Sequence, residues 1–409
     1  MKIALVAQNA TPLHPRAGSG PDRDDIGLSE LTRKLASQGH QVTVYTQKNL
    51  PDLPEQAELH EGVRVRHIDV DPLGSVATEP DDADLLEQVP AFSGPLRSHL
   101  ESDRPDIVHA LRWTSGLAAL AAARDLGIPV IQEFNSLCVT ERRAAASLRD
   151  ESGAVKADGA SAARIRLEPA IGRSATAVVA TNSAEVSGLA SLGVQRSSIR
   201  VVPWGVDTDL FTPEGPVAKR NDRPRLLATS DLTERKPLEA LLRALTRVPG
   251  AELLIVGGPA EADLAGNDNY VKLAKFAAKL GVADRVIFTG AVGYAALPPL
   301  LRSADLVIST CQYEPSGTSS LQAMACGTPG IAPPVGGHMD AVVDGTTGII
   351  VQPDRPALLA QRIRQLLAHP MLIEAYGVAA ADRVRSRYSW DRIAGETLAV
   401  YDRIMAQAA

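Results

Sequence analysis

Short apolar runs alternate with stretches of helical spacing along most of this chain, and the alternation stops once and then begins again. Residues 2–7 (Lys-Ile-Ala-Leu-Val-Ala) are apolar enough for one buried strand. A Gly/Pro-rich stretch over 12–20 follows, and then Leu28, Leu31 and Leu35 recur at helical spacing. Gly39 suits the left-handed residue that ends a helix, and 42–45 (Val-Thr-Val-Tyr) reads as the next strand. The series continues with a strand at 106–109, a helix over 115–126, and strands at 130–134, 177–181 and 199–202. Strands separated by helices need crossover connections, so this half should form a mostly parallel, doubly wound α/β sheet. Between 140 and 163 the chain is rich in Ala, Ser, Asp and Arg without a clear period, and fits either a loop or a polar helix.

A second series begins with a strand at 225–229 and runs through a helix over 238–245 and strands at 251–256, 286–289 and 305–309. The polar, Pro-rich segment 211–224 between the two series has no period and is placed as the hinge. The 409 residues exceed what a single core usually serves, which agrees with two domains and a cleft between them. A hydrophobic fraction of 45% supplies the apolar residues for two such cores.

The net charge of -6 argues against a nucleic-acid partner, because binders of polyanions carry a basic excess. Cys138, Cys311 and Cys326 are too few and too scattered for a disulfide framework or a four-ligand zinc site, so a reducing, cytoplasmic compartment fits. The apolar opening is too short for a signal-peptide core, and no later run approaches the length of a membrane span. Membrane association is not expected.

In open α/β sheets ligands sit beyond the carboxyl ends of the strands, so the loops there carry the chemistry. After the first strand, Ala17-Gly18-Ser19-Gly20 lets a backbone approach a phosphate closely, although a plain flexible loop explains the glycines equally well. The richest stretch follows the strand at 305–309: Tyr313-Glu314-Pro-Ser316-Gly317-Thr318-Ser319-Ser-Leu321-Gln322-Ala-Met324-Ala-Cys-Gly327. It opens a helix with a carboxylate just ahead of exposed amides. That pairing suits a ligand with hydroxyls for the carboxylate and phosphates for the amides, as a nucleotide sugar has.

On these residues the chain resembles the family 4 glycosyltransferases of the GT-B type, whose corresponding segment carries two glutamates separated by seven residues. Further matching stretches are Val201-Val-Pro-Trp204-Gly205-Val-Asp207, Val256-Gly-Gly-Pro259, Phe288-Thr-Gly290-Ala-Val292, Leu301-Arg-Ser-Ala-Asp305, Val335-Gly-Gly-His338 and Asp344-Gly-Thr-Thr-Gly348. The resemblance implies two Rossmann-like domains facing a central cleft, an acceptor domain over 1–208 and a donor domain over 209–385. A helix over 386–409 would return to the first domain. It also implies transfer of a sugar, with retention, from a nucleoside diphosphate sugar to a small-molecule acceptor, without a metal or other cofactor; a homodimer is compatible with it.

By the resemblance, Glu314 is the catalytic-site glutamate that holds donor-sugar hydroxyls, and Arg235 and Lys236 meet the diphosphate. Gly290 and Val292 hold the base, and Gly18, Gly20, Ser316, Gly317, Thr318, Ser319 and Gln322 complete the donor contacts. Fixed cations and amides are well placed to stabilise a diphosphate leaving group that gains charge as the bond breaks. Asp25, His109, Trp113 and Asn135 are the acceptor-side candidates. For Asp25 a helix-cap role competes, for His109 a buried strand-end position is favoured, and for Trp113 a core position is equally open. Arg164, Arg166 and Glu168 fit a solvated ion-pair face of a helix.

Four positions depart from the family pattern. Gln322 replaces the second glutamate, Asp231 stands where a phosphate-binding arginine is usual, and Leu111 and Asn135 replace two histidines. The departures point to an unusual donor or acceptor, including transfer to a sulfur or nitrogen nucleophile, or to a non-catalytic nucleotide-sugar-binding homologue.

Overall fold

The computed structural model describes residues 1–10, 12–13, 23–48, 50, 52–70, 82–147, 162–232, 238–352 and 355–408. The described residues form two compact units, one running to Pro203 and resuming at Ile393, the other spanning Trp204–Arg392.

In the first unit the strands are β1 (Lys2–Val6), β2 (Gln41–Gln47), β3 (Gln56–His60), β4 (Val63–Ile68), β5 (Ile107–Leu111), β6 (Val130–Glu133), β7 (Ala177–Ala180) and β8 (Ile199–Val201). Among the described residues they form one sheet in the order β3-β4-β2-β1-β5-β6-β7-β8. Every pairing is parallel except β3 with β4, a hairpin that the alternation in the sequence did not reveal. From β1 the chain goes outward to β2 and then crosses back to place β5 on the other side of β1. A crevice opens at such a reversal, beyond the carboxyl ends of β1 and β5.

The second unit holds β9 (Arg225–Thr229), β10 (Glu252–Val256), β11 (Val286–Phe288), β12 (Leu306–Ile308), β13 (Gly330–Ala332) and β14 (Gly348–Ile350). Their order is β11-β10-β9-β12-β13-β14, all parallel, with the reversal between β9 and β12. Successive side chains of a strand point to opposite faces, and both faces here are covered. Thus Leu226, Leu253, Ile255 and Leu306 enter one apolar cluster with the helices Glu239–Leu245 and Pro356–Leu367. Leu227, Leu254, Val256 and Val307 enter the other, with the helix Thr318–Ala325.

Inside the stretch without a clear period, the described residues include the ends of two helices, Cys138–Ser147 and Ala162–Ser174. The expected solvated ion-pair face is corrected here. Arg164 and Glu168 are buried, 8% and 0% exposed, and bonded at 2.8 Å. Arg164 also reaches Glu141 at 3.0 Å, and Glu168 accepts the Cys138 amide at 2.9 Å, so the pair ties the two helices together. Arg166 remains exposed.

The last helix, Trp390–Ala408, starts in the second unit and ends in the first. At its start Trp390 meets Trp204 edge to face and covers Gly205 so closely that a Cβ there would lie 2.5 Å from the indole. Further along, the Tyr401 hydroxyl bonds His109 Nδ1 at 2.8 Å in the first unit.

Candidate functional site

In the second unit, the segment after β12 turns through Glu314 into the helix Thr318–Ala325. Gly317 caps that helix at φ 69°, in the left-handed region that glycine enters without cost. The Glu314 carboxylate accepts the Gly317 amide at 3.2 Å and the Ser316 hydroxyl at 3.1 Å, and Ser316 in turn meets Thr318 Oγ1 at 2.8 Å. The Gly317 amide and the Ser316 hydroxyl therefore fix the orientation of this carboxylate at the helix start. One of the amides expected to face a phosphate is thus directed at Glu314 itself.

Two more glycines fix this turn. The Gly337 amide donates to the Glu314 carbonyl at 2.9 Å. A Cβ on Gly336 would lie 1.9 Å from that carbonyl oxygen, and one on Gly337 would lie 2.5 Å from the Ser316 carbonyl carbon. The Gly-Gly pair ahead of His338 is there because two backbones touch. Gln322 lies half-buried on the same helix, and Thr318 and Ser319 are buried in its first turn.

Neighbouring loops at the carboxyl edge are stitched together in the same way. Gly257 at φ 115° donates to the Gly290 carbonyl at 3.0 Å, and Ala291 donates to Pro259 at 2.8 Å. A Cβ on Gly290, at φ 69°, would lie 2.6 Å from the Glu261 amide nitrogen. Val292 is half-buried against the apolar cluster beneath. Asp231 is exposed, next to Leu232, which is buried at a left-handed φ of 59°. Arg235, Lys236, Gly18 and Gly20 lie outside the described residues.

In the first unit the crevice at the reversal holds a small polar pocket. Asn9 and Ala10 reach it from the loop after β1, Leu111 and Arg112 from the end of β5, and Asn135 from the end of β6. Asp25 and Leu28 come from the helix Arg23–Ser37. Arg112 and Asn135 both hold left-handed backbone, φ 70° and 60°. Such conformations cost free energy in a non-glycine residue and gather at ligand sites. The Asn135 side-chain oxygen is buried without a hydrogen-bond partner, so a ligand hydroxyl there would relieve an unmet acceptor.

Of the four acceptor-side candidates, Asp25 and Asn135 line this pocket. His109 and Trp113 do not. His109 is 1% exposed, with Nδ1 bonded to Tyr401 and Nε2 3.4 Å from Glu133 Oε2. Trp113 is packed among Phe134, Leu137, Ile171 and Val178. Reading the sequence did not single out Asn9, Arg112 or Ser115. The signal for Arg112 was only its place at the end of a buried strand, where a charged residue must face the crevice or solvent.

Two doubly wound units, one with a glycine-fixed glutamate at a helix start and the other with a polar pocket at its reversal point, define a GT-B glycosyltransferase. Residues 26–205 match the glycosyl transferase 4-like domain and 214–383 match the glycosyl transferases group 1 domain. The chain belongs to the family-4-like glycosyltransferases. It is 30% identical to the D-inositol 3-phosphate glycosyltransferase 2 of Catenulispora acidiphila over 98% of this chain and 95% of that one. It is also 30% identical to the D-inositol 3-phosphate glycosyltransferase of Streptomyces scabiei, over 99% and 91%. Among solved structures, sucrose-phosphate synthase from Thermosynechococcus elongatus superposes with a TM-score of 0.84 at 25% identity, covering 99% of both chains. Anabaena HepE, solved with UDP and glucose, superposes at 0.72 and 17% identity, over 98% of this chain and all of that one. Transfer of a glycosyl group is therefore the activity class, and the non-catalytic alternative is not favoured.

Proposed function

We propose that this enzyme moves a sugar from a nucleoside diphosphate sugar, held in the second unit, to a small polyhydroxylated acceptor held in the first-unit pocket. The observation that carries the reading is Glu314. Its carboxylate is fixed by the Gly317 amide and the Ser316 hydroxyl at a helix start, a station suited to gripping hydroxyls beside a bound diphosphate. Support for a uridine nucleotide comes from the HepE structures, solved with UDP and with UDP-glucose. Support for a cyclitol-like acceptor comes from the names of the relatives.

In this reading Lys236 and Arg235 neutralise the leaving diphosphate, so the chemistry asks for no metal, and the sugar keeps its anomeric configuration. Gln322 keeps the hydrogen-bonding capacity of a ribose contact without its charge. The location proposed is the cytoplasm. Among the described residues no helix is long and apolar enough to cross a membrane, and the three cysteines form no disulfide.

Calorimetric titration with UDP, GDP, ADP and dTDP, repeated on Lys236→Ala and Glu314→Ala, tests the donor half. Selective binding of one nucleotide, weakened at least 10-fold by Lys236→Ala, is the expected result. No binding to any of the four would overturn it. Glu314→Ala should leave nucleotide affinity nearly intact and abolish transfer, because its partner is the sugar.

A further inference from the structure

Beside Glu314 lie two side chains, Cys311 and His338, that the transfer reaction does not use. Cys311, Glu314 and His338 each offer a ligand atom, and the three atoms lie within 4.8 Å of one another. All three residues are buried, at 1%, 2% and 0% exposure. The sequence brings Cys311 and Glu314 from the loop after β12 and His338 from the short helix after β13, so two loops of one sheet edge converge on the point.

We infer that Cys311, His338 and Glu314 form a binding site for a soft divalent cation such as Zn2+, and that its occupation withdraws Glu314 from the donor sugar. The inhibitory half rests on the donor reading above; the binding half does not.

The chemistry of the donor set selects the metal. Sulfur, imidazole nitrogen and carboxylate oxygen together favour zinc and its soft congeners over magnesium or calcium, which take oxygen. His338 is already oriented as a ligand. Its Nδ1 meets Ser320 Oγ at 2.9 Å, while Nε2 lies 3.1 Å from Cys311 Sγ and 3.0 Å from Ser309 Oγ. A histidine whose Nδ1–H donates to an outer partner presents the Nε2 lone pair to a metal. In that tautomer the Nε2 lone pair of His338 faces the Cys311 sulfur.

The fit is close. Zinc bonds of about 2.3 Å to sulfur and about 2.0–2.1 Å to nitrogen at a tetrahedral angle hold S and N about 3.6 Å apart. The two atoms are 3.1 Å apart in the unliganded cluster, so seating the ion opens them by about half an ångström. The Cys311 thiol proton is released to solvent as the Cys311–metal bond forms, and a water or Ser309 Oγ completes the shell. Gln312, Tyr313 and Ser316 of the same loop are half-buried, so solvent reaches the margin of the cluster. Glu314 can serve the metal or the sugar, not both.

The test titrates the purified full chain, without donor, with Cd2+ as the spectroscopic stand-in for Zn2+. The expected result is one equivalent bound with a near-ultraviolet thiolate-to-metal charge-transfer band, displaced by Zn2+, with about one proton released. Cys311→Ser should lose the band and His338→Gln should weaken binding. Ser320→Ala, which leaves every ligand in place, should weaken it about 10- to 100-fold. Cys138→Ser and Cys326→Ser should behave as wild type. Zn2+ should abolish glycosyl transfer and a chelator should restore it. Absence of binding to wild type, or a band that survives in Cys311→Ser, overturns the site. Binding that leaves transfer at full rate overturns the inhibition. Failure of the nucleotide titration would sink the donor reading while leaving the cadmium result intact, so the two failures are told apart.

Discussion

Replacing Gly336 by alanine puts a methyl group where Glu314 has its carbonyl oxygen. The new Cβ would sit 1.9 Å from that oxygen and 2.8 Å from its carbon, and Cβ contacts below 3.0 Å are essentially never seen. One backbone must therefore move by about 1.1 Å, which breaks the 2.9 Å hydrogen bond from Gly337 to Glu314 and shifts the Glu314 carboxylate with it. The backbone at φ 46°, ψ -133° adds a conformational cost for any residue with a Cβ. Strain of about 1–3 kcal/mol and overpacking of about 1–3 kcal/mol give a destabilisation of about 2–6 kcal/mol. Gly345→Ala is the control, because φ is 71° there but nothing lies within 4 Å, so only the conformational cost of about 1–2 kcal/mol is expected. Urea unfolding of both variants, followed by transfer assays on the folded protein, measures the difference. Donor turnover should fall at least 10-fold in Gly336→Ala and stay near wild type in Gly345→Ala. An unchanged urea midpoint in Gly336→Ala would refute the packing argument. A lowered midpoint with normal turnover would refute the claim that this contact positions Glu314.

Three further outcomes follow from buried charges and the pocket. Burial raises the Glu185 carboxyl to about 7, only partly opposed by its bonds to the Thr181 amide and hydroxyl. A raised acid favours folding while protonated, so its contribution is full below about pH 4.5 and is lost as pH rises through 7. Glu185→Gln should remove roughly 3 kcal/mol of pH dependence from the urea-unfolding free energy across that window; an unchanged pH slope would contradict it. Arg225, 5% exposed, bonds Glu252 at 2.6 Å at the start of β9. Arg225→Met should cost about 3–5 kcal/mol by leaving the buried Glu252, which Asn221 also bonds, without its Arg225 counter-charge, and Arg225→Met with Glu252→Leu should recover most of it in denaturant titrations. Asn135→Ala and Asp25→Ala should raise the acceptor KM without changing nucleotide affinity, and an unaffected KM would remove the pocket from the acceptor site.

The alternation of apolar runs and helical spacing was enough to give β1, β2 and β5–β12, because strands covered on both faces must be continuously apolar and parallel strands must be separated by crossovers; β13 and β14, of three residues each, are too short to show it. The hairpin of β3 and β4 escaped, since Gln56–His60 alternates weakly and is only half covered. So did the helix Asp82–Asp103, which carries Pro90 and Pro95 and is held by Val89, Phe92, Leu96 and Leu100 rather than by helix propensity. Arg164 and Glu168 show the same limit, for i,i+4 spacing predicts a pair but not whether another helix covers it.

At the site, the sequence alone determined that a glutamate stands ahead of a helix start and that glycines recur at the strand ends. Their reasons are tertiary. Gly336 and Gly337 are needed because the loop after β13 lies on the backbone of Glu314 and Ser316, residues some twenty positions earlier. Asn135 joins Asp25 in one pocket, while His109 is turned into a bond with Tyr401, nearly three hundred residues away. Periodicity is a local property and is written in the order of residues. Which side chains share a pocket, a carbonyl or a metal-sized gap depends on how the crossovers return the strands to the sheet, and that is decided only when the whole unit packs.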